Sequence, residues 1–429
     1  MRRPRMNGEN ELRGRLAGAV DIIGTLKWIV RDRKASTALT FALLSVPFMG
    51  AVGAAVDFSR ASASRTAMQA VLDATALAMV KQAAAGSSTI TAEDFFAATF
   101  AHPEVQNVRV TSNVSSDAGG TTVALRATGD VNTTFMGVMG YSVLNLQVAS
   151  SANMVTETTG CILALDANAS GAISMGGNTG VDLSDCSLLA NSSDSSAVSI
   201  GGSSTLSALS VGAVGGVSIA SSNVTLSEGV RTNLQPIIDP YADVTVPSFS
   251  GCAETNLTVK TTLTIEPGVY CNGISVHAGA VLTLNPGIYY IDRGVFSVNG
   301  GATINGQGVT LIFTSSTGKN WPSATINGNA VVNLTAMRSG ATAGLVIFGD
   351  RNAPVGTAFK LNGGSSQIFG GAIYAPTGAI SYSGGANTST SCTQIIGNTV
   401  SLTGDSKVAI NCSGYSTKPF GPTTLRLMS

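Results

Sequence analysis

Charge is scarce in this 429-residue chain: Lys, Arg, Asp and Glu together make up 11% of it, with 24 residues of each sign. Soluble globular proteins carry about 25%. A formal net charge of zero lacks the basic footprint of a dedicated nucleic-acid binder, so no nucleic-acid partner is expected. Histidine is nearly missing too, and 2 His leave little for histidine catalysis or a His-rich metal site. The 50 Gly follow no strict Gly-x-y period, which excludes collagen. At 44% hydrophobic the chain is too apolar for a disordered solvating tail. Its length suggests two to four domains. What is present is Gly, Ser, Thr and Asn in a weakly charged background, as in extracytoplasmic β architecture.

Cysteine is absent from the first 160 residues. All six lie beyond: Cys161, Cys186, Cys252, Cys271, Cys392 and Cys412. An even number confined to one region points to disulfides and an oxidising compartment, with buried free thiols as the alternative. The basic residues concentrate at the other end. Residues 1–34 hold Arg2, Arg3, Arg5, Arg13, Arg15, Lys27, Arg31, Arg33 and Lys34 against Glu9, Glu11, Asp21 and Asp32.

Residues 35–56 then run ASTALTFALLSVPFMGAVGAAV without a charge. Twenty or so apolar residues cross about 30 Å of hydrocarbon as a helix. Arg31, Arg33 and Lys34 stand directly before the run. By the positive-inside rule the N-terminus is cytoplasmic and the bulk lies outside. A cleaved signal peptide is the alternative, with an A-x-A-like site at Ala61–Ala63. In the arm 1–34, Leu12, Leu16, Val20, Ile23, Leu26 and Val30 fall on one helical face, fit for an anionic inner leaflet or for a partner helix.

Beyond Asp57 the helical pattern continues. Residues 57–84 lack Gly and Pro and are rich in Ala, so one helix is expected over about 36–84. Gly86-Ser87-Ser88 ends it, and a short helix follows at 92–100 with Thr91 as N-cap. Period-two alternation then marks strands at 105–114, 121–127 and 143–155, with a helical turn at 133–140. A long helix on a small sheet is the plan of a pilin-like α+β domain, here 57–157.

The residues RDRKASTALTFALLSVPFMGAVGAAVDFSRASASRTAMQAVLDATALAMVK at 31–81 resemble the N-terminal segment of TadG-like proteins of the Tad/Flp pilus assembly system. TTFMGVMGYSVLNLQVASSA at 133–152 resembles the end of the same module, so the likeness spans about 31–155. Asp57 and Leu72-Asp73-Ala74 make it specific, because spanning a membrane does not demand them. The resemblance implies a single-pass inner-membrane protein of a bacterial pilus machine, with pilins or other assembly proteins as partners. Prepilin-like relatives carry a Gly cleavage site followed five residues later by a Glu. Here those positions are Ala35 and Thr40, which implies an uncleaved, anchored component.

Residues 158–429 read as a parallel β-helix, coil length favouring the right-handed form. LTIEPGVY at 263–270 recurs as LTLNPGIY at 282–289, and ATING at 302–306 recurs at 324–328. ISMGG at 173–177 and VSIGG at 198–202 add a spacing of 25. Short apolar strands lie between, from Ile274–Val276 through to Val408–Ile410. Residues 231–250, with three prolines, interrupt the solenoid. Stacked coils bring residues one rung apart to about 5 Å, within disulfide reach. The expected bridges are therefore Cys161–Cys186, Cys252–Cys271 and Cys392–Cys412.

Chemistry on this solenoid is hard to find. Glycan-active β-helices need paired carboxylates or clustered bases with calcium ligands. Glu254, Glu266, Asp292, Asp350 and Asp405 are isolated, while Asp292-Arg293 and Asp350-Arg351 read as surface ion pairs. Asp182 and Asp185 read as a solvated loop, and His277 as structural. Tyr289, Tyr290, Tyr374 and Trp321 could stack on surface glycans, though packing between rungs is the commoner use. No enzyme, metal or cofactor is expected. The expected function is an inner-membrane-anchored scaffold for Tad-type pilus assembly, with its bulk in the periplasm. A surface-displayed minor pilin or adhesin is the alternative, and a tethered glycan-active enzyme a more distant one.

Overall fold

The computed structural model describes residues 33–84, 90–117, 120–156, 159–183, 185–364, 367–384, 392–407, 412 and 414–428. The basic arm 1–32 with its apolar stripe lies outside them, as does the candidate strand Val408–Ile410.

Helix α1 (Arg33–Ala84) is unbroken for 52 residues, through Pro47. At 1.5 Å per residue it is about 78 Å long, more than twice a hydrocarbon core. Its two halves have different surroundings. Phe41, Leu44, Val46, Phe48 and Met49 are each two-thirds exposed or more, and nothing among the described residues covers them. Met68, Leu72, Ala76 and Val80, spaced by four, are buried against a sheet. The stretch is long and apolar enough to cross a membrane.

That sheet is antiparallel: β1 (Val105–Asp117), β2 (Gly120–Asn132) and β3 (Val143–Thr156) pair in succession. Alternate residues Val123, Leu125, Ala127, Leu146, Val148 and Ala152 face α1, as the two-residue period requires. Helix α2 (Ala92–Thr99) closes the core with Phe96, and the Thr91 side chain caps it by accepting the Asp94 N–H at 3.1 Å. The sheet has a fourth strand that the sequence reading did not expect. Thr423–Met428 pairs antiparallel with β3, Thr423 opposite Thr156 and Met428 opposite Ser151. The C-terminal strand is thus part of the N-terminal module, not of the β-helix to which the 158–429 assignment gave it.

All the remaining strands are parallel and wind into a three-faced solenoid. One inward ladder shows the plan: Val259, Val276, Val298, Ile326, Leu361, Tyr382, Leu402, Met175, Ile200 and Ile219 are successive ladder partners. Spacing along this ladder follows chain order except at one step, where Leu402 is paired with Met175. The chain therefore enters mid-stack at Gly160 and climbs three coils to Arg231. It then passes to the far end and climbs again, until residues 393–407 settle on the first coil. Both climbs run in one direction, so the parallel pairing is continuous across the join.

Two sequence repeats are true rungs: Leu263 pairs with Leu282, and Ile173 with Val198. The ATING pair is not. Thr303 pairs with Val331, while Thr325 pairs with Ser297, so the two copies sit on different faces. Coils there are 28 residues long (303 to 331), and a 22-residue spacing rotates the phrase to the next face.

Candidate functional site

Where α1 leaves its exposed half, Asp57 is buried and holds a loop. The N–H groups of Phe135, Met136 and Thr134 donate to its carboxylate at 2.7, 2.8 and 3.1 Å. These belong to the start of a single 3-10 turn, Met136–Met139, whose first amides have no partner within the turn. Burial alone would raise the Asp57 carboxyl. The three amides and the nearby Arg60 outweigh it and hold the group below the ordinary carboxylate range. Arg60 also donates to the Thr134 hydroxyl at 3.2 Å. One turn back on α1, Gly53 lets the Phe135 side chain approach so closely that an added Cβ would lie 2.5 Å from its Cβ and 2.7 Å from its ring. Asp57 and Gly53 thus fix the exposed helix against the module.

The second constellation lies along the solenoid. The proline-rich segment after Arg231 does interrupt the ladders, since Pro236, Pro240 and Pro247 cannot donate to them. Yet it is not a loose linker. It runs as a strap from one end of the stack to the other. The Leu234 N–H bonds Ala213 O in the third coil, and Asn191 in the second clamps both polar groups of Ile237. Tyr241 is fully buried, accepts from the Lys418 N–H at 3.0 Å and reaches Gln394. Asp239 receives the Tyr374 hydroxyl and an Arg351 N–H, both at 2.9 Å, while Arg351 also donates to Tyr241 O at 2.5 Å. Phe249 stacks on Tyr290 at 4.7 Å. Under the strap, Leu163, Leu189, Ile396, Tyr374, Phe348 and Ile312 form a second apolar core outside the coil.

The structure distributes the sequence candidates accordingly. Cys161–Cys186, Cys252–Cys271 and Cys392–Cys412 are all bridged, with Cα separations of 5.7, 5.7 and 4.6 Å. Ala35 and Thr40 lie within α1, and the Thr40 hydroxyl donates back to Thr37 O at 3.1 Å. Asp292 pairs with Arg293 at 3.0 Å but is buried rather than at the surface, and it also holds Ser316 through N–H and hydroxyl. Arg351 does not pair with its neighbour Asp350. It turns to Asp239 across 112 residues, while Asp350 binds the Thr314 hydroxyl at 2.6 Å. Tyr289 is buried in the coil core, Tyr374 is buried beneath the strap, and Tyr290 lies half-buried under Phe249. Trp321 is half-buried, while Asp182, Asp185, Glu254, Glu266 and His277 are exposed and scattered. Asp405 is paired with Gly180 in the ladder, and its side chain lies outside the described ones. Among the described residues no three His, Cys, Asp or Glu converge as metal ligands. Asn191, Asp239, Tyr241, Gln394 and Lys418 escaped the sequence reading. Their only trace is an apolar Ile-Ile-Asp-Pro-Tyr phrase in an otherwise polar, proline-rich stretch.

The junction geometry gives the Asp57 motif a physical purpose, and comparison with known proteins bears on the same stretch. Residues 35–85 match the family model Tad, described as "Putative Flp pilus-assembly TadE/G-like". This segment is similar to the TadE/G-like family. The match covers α1, or 51 of the 429 residues, and ends before the sheet and the solenoid. Neither the curated proteins nor the solved structures contain a match to the chain. The Tad segment thus brings together the exposed apolar half of α1 and the carboxylate that turns the chain into its folded module.

Proposed function

We propose that the protein is an anchored structural component of Tad/Flp-type pilus assembly. In this reading α1 crosses the inner membrane and the strapped solenoid is a periplasmic scaffold for pilins or other assembly proteins. The observation that carries it is the Tad segment itself, whose uncovered apolar half leads without a break into a helix packed on the module. The positive residues before Ala35 support a cytoplasmic N-terminus. Three disulfides support an oxidising compartment for the rest. We also propose a non-catalytic role: Asp239, Asp292 and Asp350 are each occupied by structural partners rather than aimed together at a cavity. Pili counted by electron microscopy on a deletion strain, with the intact mass of the native protein, test the reading. Lost pili and a chain of 43.3 kDa that keeps residues 1–34 are expected. Loss of that segment with the protein found on filaments would favour a minor pilin. Normal pili would overturn the assembly role.

A further inference from the structure

We propose that the loop between β2 and β3, residues 133–142, is a second membrane contact, seated in the acyl–headgroup boundary of the bilayer that α1 crosses. The proposal rests on the reading of residues 35–56 as a span, and goes beyond it by naming a site in the folded module that takes lipid. The first observation is exposure. Val138 is 89% exposed, Tyr141 65%, Met139 52% and Phe135 50%, all on one short loop. No charged residue occurs between Asp130 and Glu157. An apolar patch of this kind marks a partner or a membrane.

The second observation selects lipid. Phe135 packs against Gly53, and the Met139 sulfur lies 3.6 Å from where a Cβ on Gly50 would stand. Both glycines are inside the uncharged run. Gly50 is seven residues before Asp57, a rise of roughly 10 Å along the helix. That equals the depth to which interfacial elements bury their apolar face. The loop therefore runs back beside the span instead of away from it, and whatever surrounds the span at that level surrounds the loop.

Third, the backbone is prepared for low-dielectric surroundings. Irregular backbone at membrane depth must satisfy its own polar groups. The Thr134, Phe135 and Met136 amides go to Asp57. Those of Thr133, Val138, Gly140 and Tyr141 go to Ser142, Phe135, Gly137 and Met136 carbonyls within the loop. Gly140 makes this closure with φ +92°, a left-handed conformation that suits glycine. Tyr141 then has the place of an interfacial aromatic, and exposed Arg60, which donates to the Thr134 hydroxyl of the same loop, offers a cation to the headgroups.

The test uses the full chain in liposomes carrying nitroxide-labelled lipids. All described cysteines are in disulfides, so an introduced cysteine is the reactive thiol for an environment-sensitive fluorophore. Four sites are compared: Val138→Cys and Tyr141→Cys in the loop, Leu44→Cys in the span, and Ser115→Cys at the opposite end of the sheet. We expect shallow nitroxides to quench both loop sites several-fold more than Ser115→Cys, and deep nitroxides to favour Leu44→Cys. Aqueous loop sites with a lipid-exposed Leu44→Cys would overturn the proposal, leave the span intact and reserve the patch for a protein. An aqueous Leu44→Cys would overturn the span and the proposal together.

Discussion

Asp57 does at the residue scale what a cap does for a helix: one carboxylate accepts from three amides that have no other acceptor among the described residues. Replacing it by Ala should free the loop, and by Asn should do so more mildly, since one oxygen acceptor remains. Amide hydrogen exchange at Phe135 and Met136 is the measurement, with protection falling in the order Asp, Asn, Ala. The sign of the pH dependence follows from the depressed carboxyl. Its contribution is fully present above the ordinary value of 3.8 and is lost as pH falls through the lower folded value. Protection at these amides should therefore be flat from neutral pH to about 5 and collapse only below about 4, a limb absent from Asp57→Asn. Asp57 stood out in the sequence because no membrane span requires an acid there. Its partners did not, because backbone N–H groups belong to every residue and leave no compositional trace.

Among the elements, the strap reinforces the ladder pairing that joins the two climbs of the solenoid. Tyr241 is its anchor, buried among Tyr374, Gln394 and Lys418, and burial raises its hydroxyl pKa well above the ordinary value. Tyr241→Ala should cost about 3–5 kcal/mol, as for other large aromatic truncations, whereas Tyr241→Phe should cost about 1 kcal/mol. Chemical denaturation followed through solenoid amides would separate the two, and equal costs would mean the ring is not the anchor. The Cys161–Cys186 bridge closes 25 residues between the first two coils. Its double replacement by Ala should cost about 2–4 kcal/mol at the same probes. Helices, sheet strands and the 19- and 25-residue rungs were readable because each repeats the same residues on one face. ATING misled because coil length changes beneath it. The strap looked like an interruption because proline forbids ladder bonds but is silent on what its neighbours grip.

Across the whole molecule, the order of coils makes the solenoid an insertion rather than an arm. Its entry at Gly160 and its exit at Phe420 are joined by a 2.7 Å bond from the Gly160 N–H to the Phe420 carbonyl. The exit strand then returns to β3. No periodicity could announce this, because the closing pair, Leu402 on Met175, joins residues more than two hundred apart with ordinary ladder chemistry. Such a closure requires that the N-terminal module depend on the last residues of the chain. Deleting 423–429 removes Leu425 and Leu427 from the edge of the sheet and leaves β3 with an open rim. Exchange protection should then fall along Ser151–Thr156, while amides of the solenoid ladder at Val298 and Ile326 keep theirs. If β3 stayed protected, the terminal strand would be a passive edge, and the module would be complete without it. If the solenoid lost protection as well, its two coil stacks would owe their join to the sheet as well as to the ladder and strap.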